Sequence, residues 1–145
     1  MDYFMPELNE SGIRQLSMLA LAHVGDAVFE LMTRASLCAE GHGAVQELHR
    51  LATARVNAAA RAKTAELLLP LLDEEESAIF RRGRNTHVNS VPHAANVGDY
   101  HAATGLEALF GWLYLRGKTE RLNELFEIVL AAYKDRERDK CRLTP

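Results

Sequence analysis

Apolar residues recur at three- and four-residue steps along most of this chain, and no stretch alternates with period two for long enough to make a strand. Val24, Val28, Leu31 and Met32 keep the helical step and predict a first long helix over about residues 15–39, with Gly41 where a C-terminal glycine belongs. A second, alanine-rich helix is predicted over about residues 44–69, stopped by Pro70. Asp73 then caps a short third helix, with Glu76 three residues on as in a capping box and Gly83 at its end. Asp99 is expected to cap a helix over about residues 100–115. Gly117 and Thr119 punctuate before a last amphipathic helix through "ERLNELFEIVLAAYK". One irregular stretch, "RNTHVNSVPHAANVGD", is too long for a routine connector, and such loops are more often functional than idle. With no internal repeat and no low-complexity segment, the pattern predicts an all-α single domain.

Composition narrows the class. A chain of 145 residues is long enough for one domain with a real core. Hydrophobic residues at 48% and charged residues at 26% are ordinary for a soluble globular protein. No run of eighteen apolar residues occurs, so no membrane span is expected. The acidic start, "MDYFMPELNE", lacks the basic and then apolar regions of a secretory signal. Cys38 and Cys141 stand far apart and outside any metal-ligand spacing, and read as free thiols of a cytoplasmic protein. The net charge of −3 excludes a generic polyanion binder. Contact with nucleic acid therefore needs a local basic patch, and Arg81, Arg82 and Arg84 in "FRRGRN" supply one. The tail "KDRERDKCR" offsets its own charges and reads as a solvated helix end.

The candidate chemistry lies in two lone acids. In "AHVGDAVFE", Asp26 follows a glycine inside an apolar run, where an unpaired buried carboxylate is costly. A helix cap does not fit, because caps stand at the start of such a run. A structural ion pair and a metal or acid–base site both remain. Glu107 repeats the pattern in "ATGLEALFGWLYL". Gly25, Gly105 and Gly111 accompany the two acids, and glycine inside a helix costs about 1 kcal/mol against alanine, so it signals close helix approach. Two close helices with one carboxylate each can hold a divalent cation between them, and carboxylate oxygens with water suit Mg²⁺. Glu30 is assigned instead to an ion pair with Arg34, four residues on. His23, His87, His93 and His101 lack the spacing of zinc ligands and read as surface or phosphate-contacting groups.

Taken together, these segments resemble a known family. "LAHVGDAVFELMTRASL" resembles the signature helix of the ribonuclease III catalytic domain, and "TGLEALFGWLYLRGKTERL" resembles its second conserved helix. Between them, "LHRLATARVNAAARAKTAELL" and especially "EEESAIFRRGRNTHVNSVP" are similar to the compact branch called Mini-ribonuclease III. The likeness runs from about residue 16 to residue 129, so the catalytic domain is expected to have its core over about 16–130, with no room for the double-stranded-RNA-binding domain of the larger enzymes.

The resemblance implies a helical-bundle endoribonuclease that cuts double-stranded RNA and leaves 5′-phosphate and 3′-hydroxyl ends. Asp26 and Glu107 match the family's acids and are expected to be catalytic and to bind Mg²⁺, with Mn²⁺ able to substitute. Ala22 and Thr104 stand where the larger enzymes carry a glutamate and an aspartate. Arg81, Arg82, Arg84, Asn85 and His87 are expected to bind RNA. The resemblance also implies a cytoplasmic homodimer that matures the ends of 23S ribosomal RNA precursor, helped by a large-subunit ribosomal protein. A non-catalytic RNA-binding or ribosome-assembly protein on the same fold is the rival, and such proteins typically lose the acids that this chain keeps.

Overall fold

A computed structural model describes residues 1–87, 90, 91, 93 and 96–144. Among them are seven α-helices, one 3₁₀ turn and no strand. The helices are α1 (Glu10–Arg14), α2 (Met18–Ala39), α3 (Val45–Val56), α4 (Ala58–Leu68), α5 (Glu74–Arg84), α6 (Val97–Leu115) and α7 (Thr119–Leu143). The all-α expectation holds.

Helix α6 is the axis of the fold. Its residues from Ala103 to Leu106 and from Ala108 to Leu113 are buried, so it is apolar all round, as a helix enclosed by others must be. Helices α2, α4, α5 and α7 pack around it. Phe29 of α2 meets Phe110 of α6 and Phe126 of α7 edge to face, with ring centroids 5.2 and 6.0 Å apart. The closest approach is between α2 and α6. A side-chain carbon on Gly25 would overlap the carbonyl oxygen of Glu107, and one on Gly111 would overlap that of Leu21. Only glycine lets the two backbones lie this near, and it is this contact that sets Asp26 beside Glu107.

Several predicted boundaries shift, each for a local reason. The first long helix is one element, α2, but it starts three residues later than expected: Ser17 takes extended backbone, and its hydroxyl accepts from the Ala20 N–H at 3.0 Å. The second divides, because Asn57 ends α3 and its side chain caps α4 by accepting from Ala60 N–H at 2.8 Å. Pro70 does not stop the helix outright; it sits in a 3₁₀ turn, Leu69–Leu71, where its missing N–H costs nothing. Gly83 lies inside α5 rather than at its end, and a side-chain carbon there would come within 2.7 Å of Ala108 Cβ. Asn96, not Asp99, caps α6, accepting from the Asp99 N–H at 3.1 Å.

Other expectations stand. Gly41 follows α2 with φ +97, and the Asp73–Glu76 capping box is complete in both directions. Val88, Asn89, Pro92, Ala94 and Ala95 of the long loop lie outside the described residues. The basic tail is the end of α7, exposed apart from half-buried Arg136 and Glu137, and Glu137 pairs with Arg55, a buried guanidinium held also by Glu40.

Candidate active site

Asp26 and Glu107 converge on a residue that the sequence did not single out. Arg61, on α4, is only 5% exposed. Its Nη1 donates to Glu107 Oε1 at 2.5 Å and lies 2.7 Å from Asp26 Oδ1. The guanidinium rests on the ring of Phe29, 5.2 Å from the centroid. Its Nε is buried with no partner. A cavity of about 300 Å³ opens at this point, lined by Asp26, Glu107 and Arg61 with Val56, Ala58, Tyr100, Ala103 and Thr104.

The two acids differ in environment. The Asp26 side chain is 52% exposed, which overturns the expectation of a buried aspartate: α2 turns it outward to the mouth of the cavity. Glu107 reaches in from α6 with 19% exposure. Burial pushes its carboxyl above the ordinary range, Arg61 pulls it back, and the nearby Asp26 charge adds to the rise. Ala22 and Thr104, where larger enzymes carry acids, are both buried, and the Thr104 hydroxyl donates to the Tyr100 carbonyl at 3.0 Å. No third carboxylate or histidine joins the pair into a metal-ligating group among the described residues.

Arg61 had one signal in the sequence. With Thr64, Ala65 and Leu68 it keeps the i, i+3, i+4, i+7 spacing of the buried stripe of α4, so it is the charged member of a core-facing row. Glu30 pairs with Arg34 at 2.6 Å, as expected, and takes no part in the site.

The basic residues form a separate surface. Arg81, Arg82 and Asn85 line an open groove with Met18, Ala78 and Thr86. Arg84 does not line the groove but borders it, half-buried over the Phe80 ring at 5.7 Å with its Nε donating to Asn85 Oδ1 at 3.4 Å, and His87 is exposed beyond the helix end. None of the five lines the carboxylate cavity. The surfaces share a support, however: a side-chain carbon on Gly83 would come within 3.1 Å of Gly105 Cα, two residues before Glu107. Of the histidines, His23, His87 and His93 are exposed, whereas His101 is half-buried with its Nδ1 unpartnered.

Comparison with known proteins gives the family. Residues 19–118 match the Ribonuclease III domain. Mini-ribonuclease 3 of Thermoanaerobacter sp. (strain X514) is 42% identical over 83% of this chain and 85% of its own length. The chain belongs to the Mini-ribonuclease 3 branch of the ribonuclease III family. Mini-ribonuclease 3 of Symbiobacterium thermophilum is 43% identical over 77% of this chain and 86% of its own. That of Clostridium tetani is 35% identical over 92% and 89%. A Fusobacterium nucleatum protein of known crystal structure superposes with a TM-score of 0.76 at 33% identity, over 83% of this chain and 96% of its own.

Proposed function

We propose that this chain, an endoribonuclease by family, cleaves double-stranded RNA in a Mg²⁺-dependent reaction and matures the ends of 23S ribosomal RNA precursor. The observation that carries the reading is the meeting of Asp26 and Glu107 on a single nitrogen, at 2.7 and 2.5 Å. Two carboxylate oxygens so converged fit Mg²⁺, which takes one or two carboxylates and fills its shell with water and substrate phosphate. Asp26 and Glu107 would hold the ion, and Mn²⁺ would substitute. A bound Mg²⁺ supplies Lewis-acid polarisation of a phosphodiester and a water of lowered pKa, giving 5′-phosphate and 3′-hydroxyl ends.

The protein's own residues do the rest. Asp26 stands at the solvent-facing mouth, where a backbone phosphate can approach, and Glu107 anchors the buried side. A duplex is read by shape through phosphates and 2′-hydroxyls, which exposed Arg81, Arg82, Asn85 and His87, together with Arg84, are suited to contact. The active form is a cytoplasmic two-fold dimer formed on α2, whose Val24, Ala27, Val28 and Leu31 line an apolar groove of about 520 Å³ with Tyr3 and Phe4. No helix among the described residues is long and apolar enough to cross a membrane. A large-subunit ribosomal protein acts as activator.

The test is incubation of the protein with a 23S precursor duplex, with and without Mg²⁺, followed by mapping of the ends. Cuts at the mature termini only with Mg²⁺ are expected, and single-stranded controls stay intact. Duplex binding without cleavage under every metal condition would instead favour the non-catalytic reading.

A further inference from the structure

Two buried arginines in this fold each face two carboxylates, and their geometries differ. Arg55 spends its whole guanidinium: Nε and Nη2 bond Glu137, and Nη1 and Nη2 bond Glu40, at 3.0 to 3.3 Å. That is the two-sided fork of a structural anchor, with the Arg55 carbonyl accepting from Tyr133 Oη as well. Arg61 does the opposite. A single nitrogen, Nη1, takes both Asp26 and Glu107, while Nε is buried without a partner. A fork used as a point charge stands where a small cation would stand.

We propose that Arg61 is an internal counter-ion that occupies the divalent-cation position between Asp26 and Glu107 and must leave it for the metal to bind. This rests on the reading of those two acids as the metal ligands. Charge makes the two occupants exclusive. With Arg61 in place the two carboxylates carry a net −1; a divalent ion added beside the guanidinium would meet a like charge at contact distance. Geometry makes them exclusive as well, because the point on which both oxygens converge is filled by Nη1. The arm has somewhere to go. The cavity of about 300 Å³ that the two acids share with Arg61 extends past them to Val56, Ala58, Tyr100, Ala103 and Thr104, and turning the side-chain torsions of Arg61 would carry the guanidinium off the acids into that space. Phe29 beneath the guanidinium favours the inward position when no metal is present.

Two consequences follow from exclusion. The metal-free site is held in shape, since its two acids are neutralised in part instead of repelling one another. The price is affinity: the metal binds only the fraction of molecules whose arginine has swung out, so the apparent dissociation constant rises by the inverse of that fraction.

Titration calorimetry with Mn²⁺ on the full chain and on Arg61→Gln, paired with thermal melts of both, tests this. Arg61→Gln should bind Mn²⁺ about tenfold or more tightly than the unaltered protein, because no competitor remains. Its melting temperature should be the lower of the two without metal and should gain more when Mn²⁺ is added. Equal or weaker binding by folded Arg61→Gln overturns the proposal while leaving Asp26 and Glu107 as ligands. Binding by neither protein defeats the ligand reading itself, and the proposal with it. A second measurement needs no folded variant of that kind: side-chain NMR of the unaltered protein labelled on arginine, aspartate and glutamate, with Arg61→Lys used for assignment. Mg²⁺ should collapse the resolved Arg61 Nη signals to rotationally averaged ones as the Asp26 and Glu107 carboxyl carbons shift. Carboxyl shifts with an unmoved Arg61 signal would sink the exclusion, and no carboxyl shifts at all would sink the metal.

Discussion

Burial and the Asp26 charge together outweigh Arg61 at the Glu107 carboxyl and hold it above the ordinary range. Glu76 shows the reverse: hydrogen bonds from Arg121 hold its carboxyl below the ordinary range against burial, with the capping bond at Asp73 helping. The signs divide the two roles. A raised value means stability that is present below the ordinary carboxylate range and lost as pH rises through the raised value; a lowered one means stability present above the ordinary range and lost as pH falls through the lowered value. Glu76→Gln should therefore cost about 2 kcal/mol at neutral pH, and the difference from the unaltered protein should fade as acid protonates Glu76, followed by denaturant melts across the acid limb. Glu107→Gln and Asp26→Asn should each abolish cleavage yet hold stability within about 1 kcal/mol, since neither changes packing volume. Near-normal cleavage by either would remove that residue from the site, and loss of the fold would make the ion pair structural. Both acids were legible as lone charges in apolar runs. Arg61 was not, because its neighbours in "NAAARAKTAELL" are too small to mark which side of α4 is buried.

At the scale of elements, the polar residues that start helices proved harder to read than the helices themselves. Ser17 and Asn57 each interrupt an apolar period for a single position, too briefly to break the pattern, and Asn96 lies in the stretch that reads as irregular, though each of the three caps through its own side chain. The Asp73–Glu76 box was legible because it carries two residues at a fixed spacing. Glycine was legible as close approach in α2 and α6 but misread in α5, where Gly83 serves the contact with α6. That approach is what brings the candidate site together. Gly25→Ala should force α2 from α6, because the new methyl overlaps backbone at Glu107 and comes within 2.7 Å of Gly111 N, neither of which can rotate away. A loss of about 3 kcal/mol or more is expected from such overpacking, together with cleavage. Gly43→Ala is the control, since nothing lies within 4 Å of an added carbon there, and it should keep both. An equal effect at the two positions, measured by thermal melts, would show that the helix crossing does not set the site.

At the scale of the whole molecule, the proposed duplex substrate has to reach both a carboxylate cavity and a basic groove that share no lining residue among the described ones. Replacing Arg81, Arg82 and Arg84 by Ala should weaken duplex binding and flatten its dependence on salt, because fewer counterions are released. An unchanged slope in a filter-binding titration would mean that these arginines do not touch RNA. Assembly supplies the other half of the problem. One chain carries one Asp26–Glu107 pair, while the strands of a duplex run in opposite directions. A two-fold dimer relates two identical centres by the symmetry that such strands share. The outer face of α2 is suited to form it: Leu31 is 59% exposed, and Val24, Ala27 and Val28 join it along one apolar groove, while Asp26 on the same helix lines the cavity instead. If each centre cuts one strand, a heterodimer of unaltered and Asp26→Asn chains should nick one strand of an end-labelled duplex and leave the other whole. Two different affinity tags allow that species to be purified in succession from either homodimer. Double-strand cuts by it within one binding event would mean that a single centre serves both strands. A monomer at micromolar concentration in the ultracentrifuge would remove the two-fold arrangement and with it the coupling of the two cuts.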